Sequence, residues 1–238
     1  MSLLRRGGTN LSETLSVFRT EKKYQLNGVQ KSILVNKLSS TMKLDENGDR
    51  NGYLVRSLYF DSIYDDDYFD KVNGLEIRKK IRLRIYSPNQ KMVKLEIKQK
   101  QGTAQLKKSI WISKALAEEM INGDYVGLLE LESELAIEIY QILERGVYRP
   151  KCIIEYNRIA FMEETNDIRI TFDSDIGVSM DCQDFFNHNL SLIPIMNEPV
   201  LEVKYNGFLL SNLKQTVNIA NTSELSISKY ALCRQMLY

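Results

Sequence analysis

The stretch Arg78 to Tyr86, RKKIRLRIY, carries five positive charges in nine residues and still alternates like a β-strand. Successive strand side chains point to opposite faces, so Arg78, Lys80, Arg82 and Arg84 share one face while Ile81, Leu83 and Ile85 share the other. For a single strand, an antiparallel sheet with one solvated face accounts for such a pattern.

The pattern recurs along the chain. Val17 to Tyr24 puts Arg19, Glu21 and Lys23 on one face, and in KMVKLEIKQK the residues Lys94, Glu96, Lys98 and Lys100 oppose Val93, Leu95 and Ile97. Arg169, Thr171 and Asp173 oppose Ile168, Ile170 and Phe172, and Glu202 and Lys204 oppose Leu201, Val203 and Tyr205. Strands repeating this design are expected to line one concave surface or a barrel lumen with charge, their apolar outer faces covered by helices. Arg82 and Arg84 lie about 7 Å apart along their strand and repel by about 0.6 kcal/mol in water, or about 2.4 kcal/mol at an effective dielectric near 20. About eight or nine such residues in one tunnel would oppose folding by an amount comparable to a domain's whole stability of about 5 to 15 kcal/mol. A multiply charged anion is the expected partner, with arginine suited to phosphate through its planar fork of donors.

Between these strands the spacing predicts helices over Val29 to Met42, from Ser113 through Met120, over Glu130 to Arg145, Leu210 to Ala220 and Ser228 to Leu237. Further strands are read in YLVRSLYFDS, LKKSIWIS and KCIIEYNRIAF; SPNQ reads as a hairpin turn, and SIYDDDYFDK as a solvated acidic loop without the glycine and terminal glutamate of an EF-hand. Nothing in the 238 residues marks a linker or repeat, so the expected organisation is a flexible leader over 1–14 and one domain over 15–238. No apolar run approaches the roughly 18 to 20 residues of a spanning helix. Cys152, Cys182 and Cys233 suggest neither a disulfide framework nor a zinc site, and a reducing cytoplasm is the expected location. Lysine and arginine total 32 against 31 acidic residues, and stacking aromatics do not interleave with the charged faces, which argues against nucleic acid as partner. The single histidine, His188, reads as a loop residue, and there is no P-loop and no GxGxxG.

Taken in order, FRTEKKY, YFDS, IRLRIY, KLEIKQK, IIEYNRIAF, IRITFDSDI, LEVKY and SKY resemble, over nearly the whole chain, the VTC domain. This is the polyphosphate polymerase branch of the triphosphate tunnel metalloenzymes, which also include CYTH proteins. The resemblance implies an α+β fold in which a closed or nearly closed antiparallel β-barrel with a charged lumen, the triphosphate tunnel, is flanked by α-helices. It implies transfer of the γ-phosphoryl group of ATP to a growing inorganic polyphosphate chain, with Mn²⁺ or Mg²⁺ as cofactor. A metal-dependent inorganic or nucleoside triphosphatase and a non-catalytic polyphosphate sensor are the alternatives, and a peripheral partnership with membrane proteins is left open.

Carried over by motif, the phosphate-binding residues are Arg19, Lys23, Arg82, Arg84, Lys98, Lys107, Arg158, Arg169, Ser228 and Lys229, with Arg82, Arg84, Lys98 and Glu202 in the catalytic role. Glu202 matches the acidic metal ligand, against the plainer reading that it pairs with a neighbouring Arg or Lys, and Glu21 falls where CYTH relatives carry acidic residues. Glu96 reads as a charge balancer for Lys98. Parity leaves the face of Arg158 open, because Glu155 and Arg158 fall on opposite faces unless a bulge intervenes. Two positions depart from the family pattern: Trp111 stands where a basic tunnel residue is expected, with Lys107 four residues earlier on its face, and Ser226 stands where a polymerase carries another lysine.

Overall fold

The computed structural model describes residues 19–102, 104–218 and 222–236, which leaves the expected leader and the first two residues of the expected opening strand outside it. In chain order the elements are β1 (Arg19–Gln25), α1 (Gly28–Ser39), β2 (Lys43–Leu44), β3 (Tyr53–Ser62), α2 (Asp66–Val72), β4 (Ile77–Ile85), β5 (Met92–Gln101), β6 (Ala104–Ser113), α3 (Lys114–Ile121) and α4 (Glu134–Arg145). There follow β7 (Tyr148–Glu163), β8 (Ile168–Ser179), β9 (Ile193–Met196), β10 (Val200–Asn206), α5 (Ser211–Asn218) and α6 (Lys229–Gln235). One 10-stranded sheet runs β1-β10-β8-β7-β3-β4-β5-β6, with β2 on β7 and β9 on β8, and its pairs are antiparallel.

The fold is α+β with flanking helices, as expected, but the sheet does not close into a barrel. Among the described residues no ladder joins β6 to β1. The physical reason lies at the free edge of β1, which the C-terminal segment occupies: Leu225 N–H donates to Lys23 O at 2.8 Å, and Glu224 bridges Tyr24. Side chains cross the gap instead, with Lys98 of β5 reaching Glu21 of β1 at 3.2 Å.

Two apolar clusters cover the outer face. One packs Leu58, Ile81, Leu83, Leu95 and Ile97 under α3 and α4, and the other packs Phe161, Ile170, Phe172 and Leu201 under α1 and α5. Both use the aliphatic parity of the charged strands, which is why the helices lie outside. In α4, Leu135, Ala136, Ile139 and Leu143 form the buried stripe, and its start shifts from the expected Glu130 to Glu134 because Ser133 Oγ accepts from Ala136 N–H. Ser113 caps α3 as predicted, accepting from Leu116 N–H at 3.1 Å. An Asn27–Gln30 capping box starts α1, which ends at Ser39 and buries Leu34 and Leu38; Val29 and Ile33, expected on its apolar stripe, are exposed.

The inner face is only partly charged. Val55, Tyr59, Ile154, Tyr156 and Val178 turn inward and pack against Tyr68 and Tyr230, so α2 and α6 plug one side of the lumen. The acidic segment expected as a solvated loop is part of this plug. Asp61 and Asp67 are buried, and Asp61 accepts from the backbone N–H groups of Asp67 and Tyr68 and from Tyr230 O–H at 2.5 Å. One carboxylate thus fixes both the start of α2 and the position of α6. A bulge at Asp175, with φ of +56°, reverses parity in β8, so Asp173 before it and Ile176 and Val178 after it all point inward.

Candidate functional site

Parity and pairing register stack the charged residues of β4, β5 and β6 in levels. Arg78 lies beside Lys100 and Gln105, then Lys80 beside Lys98 and Lys107, then Arg82 beside Glu96 and Ser109, then Arg84 beside Lys94 and Trp111. Across the channel, β1 and β10 set Lys23 beside Glu202 and Glu21 beside Lys204, while β7 and β8 set Arg158 beside Asp173.

Glu96 is the hub of the first wall. It is 2% exposed, accepts from Arg82 Nε and Nη2 at 2.6 Å each, and lies 2.5 Å from Lys107 Nζ and 3.8 Å from Arg84 Nη1. Burial acts to raise its carboxyl, but the charges of Arg82, Arg84 and Lys107 hold it well below the usual carboxylate range. Burial pulls Lys107 down to about 8 against the attraction of Glu96. Arg82 also donates to Tyr59 O–H, and Arg84 to Ser57 Oγ, both at 3.0 Å.

Asp173 is the hub of the opposite wall, fully buried, with Arg158 Nε and Nη2 donating in fork geometry at 2.7 and 2.8 Å and Lys229 Nζ donating at 2.6 Å. Burial would raise it, and those two cations bring it to about 2. Beside it Glu202 lies 3.3 Å from Lys204 Nζ, 3.7 Å from Lys23 Nζ and 3.8 Å from Arg158 Nη2, and it too is held well below the usual range against burial, chiefly by Lys204 and Lys23. Glu21, whose carboxylate acts electrostatically on Glu202, pairs with Lys23 at 3.0 Å and with Lys98 at 3.2 Å.

These paired carboxylates test the fit of a divalent ion. Among the described residues no group of three or more His, Cys, Asp or Glu converges on a metal position. Glu21 and Glu202 together still offer hard oxygen donors, which suits Mg²⁺, an ion commonly held by one or two carboxylates and completed by water and phosphate oxygens.

Both the motif order and this geometry point to one family, and the model of the VTC domain matches residues 18–238. The chain belongs to the VTC domain family. No curated protein matches it significantly. The VTC domain is similar in fold to a candidate adenylate cyclase from Bacillus halodurans, with a TM-score of 0.55, 12% identity and coverage of 92% of this chain and 96% of that one. A candidate adenylate cyclase from Vibrio parahaemolyticus aligns with a TM-score of 0.48 at 12% identity, covering 92% and 99% of the two chains. The Mimivirus capping enzyme triphosphatase aligns at 0.41 and 10% identity, covering 86% and 89%.

Within the VTC domain, Lys23, Arg82, Arg84, Lys98, Lys107, Arg158, Glu202 and Lys229 line one channel. Arg158 faces inward because Glu155 faces out, where it pairs with Arg56. Arg169 is turned to the rim, 2.6 Å from Asp45 Oδ2 and 2.9 Å from Tyr53 O–H. The Arg19 side chain lies outside the described residues. Ser228 caps α6, accepting from Ala231 N–H, and its Oγ accepts from Lys80 Nζ at 2.9 Å. Glu96 balances Arg82, Arg84 and Lys107; Lys98 pairs with Glu21 instead. Trp111 is half-exposed on the channel face with Lys94 Nζ 5.5 Å from its ring centre, so that level draws its charge from the adjacent strand. The sequence reading did not place Asp173, Lys80 or Lys204 in the site, although each lies at even spacing from a site residue on its own strand, Arg169, Arg82 and Glu202 respectively. Among the described residues no helix is long and apolar enough to cross a membrane.

Proposed function

We propose that this VTC domain is a metal-dependent polyphosphate polymerase that transfers the γ-phosphoryl group of ATP to the end of an inorganic polyphosphate chain, releasing ADP. The observation that carries this reading is the ring of cations held on Glu96 and Asp173, with Glu21 and Glu202 between the two walls. Phosphoryl transfer asks little covalent chemistry of the protein and depends on positioning and neutralisation of charge.

In this reading Arg82, Arg84 and Lys107 exchange part of their contact with Glu96 for triphosphate oxygens. Arg158 and Lys229, held in place by Asp173, meet the opposite side of the same group. Glu96 and Asp173 stay ionised and keep the cations in extended, aimed rotamers, so little reorganisation is needed when phosphate arrives. Lys98 and Lys23 keep the acceptor phosphate in line despite its like charge. A divalent ion held through Glu202, with Glu21 beside it, would supply neutralisation of the charge developing between the β- and γ-phosphates.

With water as acceptor the same constellation is a triphosphatase, so the deciding experiment resolves products. Purified protein is incubated with ATP and Mn²⁺ or Mg²⁺, with and without a short polyphosphate primer. Long chains with an equal amount of ADP are expected. Free phosphate without chains would establish the triphosphatase, and tight polyphosphate binding without turnover would establish the binding module.

A further inference from the structure

At one end the channel opens into a cavity of ≈ 500 Å³ walled by β1, β4, β5, β6, α2 and the segment before α6; it shares Glu21, Lys23 and Lys98 with the inner channel and also touches Glu224. Its outer cations are Lys71, Arg78, Lys80 and Lys100. Among the described residues none of these four forms an ion pair with a carboxylate. Lys71 Nζ donates to Ser226 Oγ at 3.0 Å and Lys80 Nζ to Ser228 Oγ at 2.9 Å, so two neutral hydroxyls stand where the inner channel uses Glu96 and Asp173. Lys79, on the opposite parity of the same strand, does have a carboxylate partner, Asp67, at 3.2 Å.

A protein leaves converging cations unpaired at a cost in self-repulsion, and the charges here work against one another. Lys71 is depressed by burial and then by Arg78, Lys23 and Lys100. Lys80 is pulled down to about 7 by burial and then by Lys23, Lys98, Lys71 and Arg82. Lys80 thus faces cations from β1, β4, β5 and α2, with the Ser228 hydroxyl and the Tyr230 ring, 5.6 Å away, on the side of α6; the two carboxylates of the cavity, Glu21 and Glu224, are engaged by Lys23 and Lys98 and by Lys22. From Arg84 to Arg78 the wall of β4 extends about 20 Å, more than a triphosphate group occupies. Hydroxyls and flexible ammonium groups favour an anion without a fixed orientation. The cavity's lining includes no Phe, Tyr or Trp on which a base could stack.

We propose that this vestibule is a second anion site, adjoining the inner channel and continuous with it, in which Lys71, Arg78, Lys80 and Lys100 hold a linear inorganic oligophosphate by charge. It rests on the phosphotransfer reading above in one respect, that the bound chain is the acceptor. The departure at Ser226 then takes a structural form: its hydroxyl anchors Lys71, and a lysine from α2 supplies the charge at that level.

The test is binding to the full chain, read by calorimetry for three probes: ATP, tripolyphosphate, and a linear polyphosphate several times longer. In the Lys71→Gln, Arg78→Gln, Lys100→Gln triple variant, affinity for the long chain is expected to fall about 10- to 100-fold while ATP and tripolyphosphate change by less than about 2-fold. The slope of affinity against salt should also fall for the long chain alone. Equal losses for all three probes would overturn the distinction between the sites, and unchanged long-chain affinity would overturn the site itself. A single-stranded oligonucleotide competing as well as polyphosphate would overturn the choice of ligand. If the wild type makes no polyphosphate yet shows the selective loss, the polymerase reading fails and the anion site stands. If it makes chains and the triple variant binds them normally, the reverse holds.

Discussion

Arg82 of the inner channel and Lys80 of the vestibule lie on the same strand, two residues apart, yet the two regions they belong to meet opposite electrostatic conditions. Arg82 and Arg158 are each clamped to a buried carboxylate, whereas Lys80 and Lys71 rest on serine hydroxyls. A buried carboxylate fixes a cation's rotamer and cancels most of its field, which suits aiming at a reacting group. A hydroxyl leaves the field intact, which suits retaining a mobile anion. The difference predicts that the inner channel is held together by its charges and the vestibule is strained by them.

The largest expected effect follows directly. Arg158→Ala strands Asp173, which is 0% exposed, with Lys229 as its remaining partner. Breaking one member of a buried pair costs about 3 to 5 kcal/mol. For a domain of this size that lowers Tm by about 6 to 20 °C. Arg78→Ala should move Tm by less than about 2 °C, because no carboxylate loses a partner. Thermal unfolding of the two variants side by side breaks the comparison if they fall together.

This contrast also marks what could be read in advance. Alternation alone gave the channel face of β4 and β5 and the apolar face under the helices, because period-2 patterning is local. The partner of each cation was not local. Glu96 was expected to serve Lys98 from its own strand, but the register sets Arg82 beside it, Lys107 reaches it diagonally from β6, and Lys98 turns to Glu21 across the gap. Which of the two, a closed or a nearly closed barrel, was not legible for a similar reason, since the segment that occupies the edge of β1 and leaves the sheet open comes from some two hundred residues away. The acidic run SIYDDDYFDK looked solvated because its carboxylates are matched by groups remote in sequence, with Asp67 accepting from Tyr148 O–H and Asp65 paired with Lys151. Asp67 is consequently pushed up by burial to about 7.

Next in size is the catalytic effect of Glu202→Gln. The variant retains shape and leaves Lys23 and Lys204 in place, so ATP binding should persist while turnover falls about 100-fold at saturating metal, the scale expected for loss of one preorganised electrostatic group. Product analysis alongside ATP affinity separates the two. Unchanged turnover would remove Glu202 from the metal position and return it to the role of charge partner.

Glu96→Gln sharpens the comparison from the other side by making the inner wall resemble the vestibule. Arg82, Arg84 and Lys107 lose their shared carboxylate, and stability is expected to fall by about 1 to 3 kcal/mol. Tripolyphosphate should then raise Tm more in the variant than in the wild type, because the anion replaces the missing charge. An equal increment in both proteins would show that phosphate does not bind at this level of the channel.

The smallest effect, and the one most specific to the vestibule, is a proton. Burial and the surrounding cations bring Lys80 from the ordinary lysine value of 10.5 to about 7. Between those values the unfolded chain holds a proton at this position that the folded chain does not, so without an anion stability declines as pH falls through that window and levels off below about 7. A polyanion beside Lys80 reverses the field and raises its pKa, so at pH 8 the free site is mostly neutral and the occupied site charged. Binding of linear polyphosphate should therefore take up a fraction of a proton, visible as a dependence of the calorimetric heat on the ionisation enthalpy of the buffer. Lys107, brought down to about 8 by burial against the pull of Glu96, contributes a second share that Lys80→Met leaves in place. The expected result is a reduced uptake in Lys80→Met, with the remainder persisting. Uptake unchanged in that variant would mean that Lys80 is already charged in the free protein, and the vestibule would then differ from the inner channel in its partners but not in its protonation.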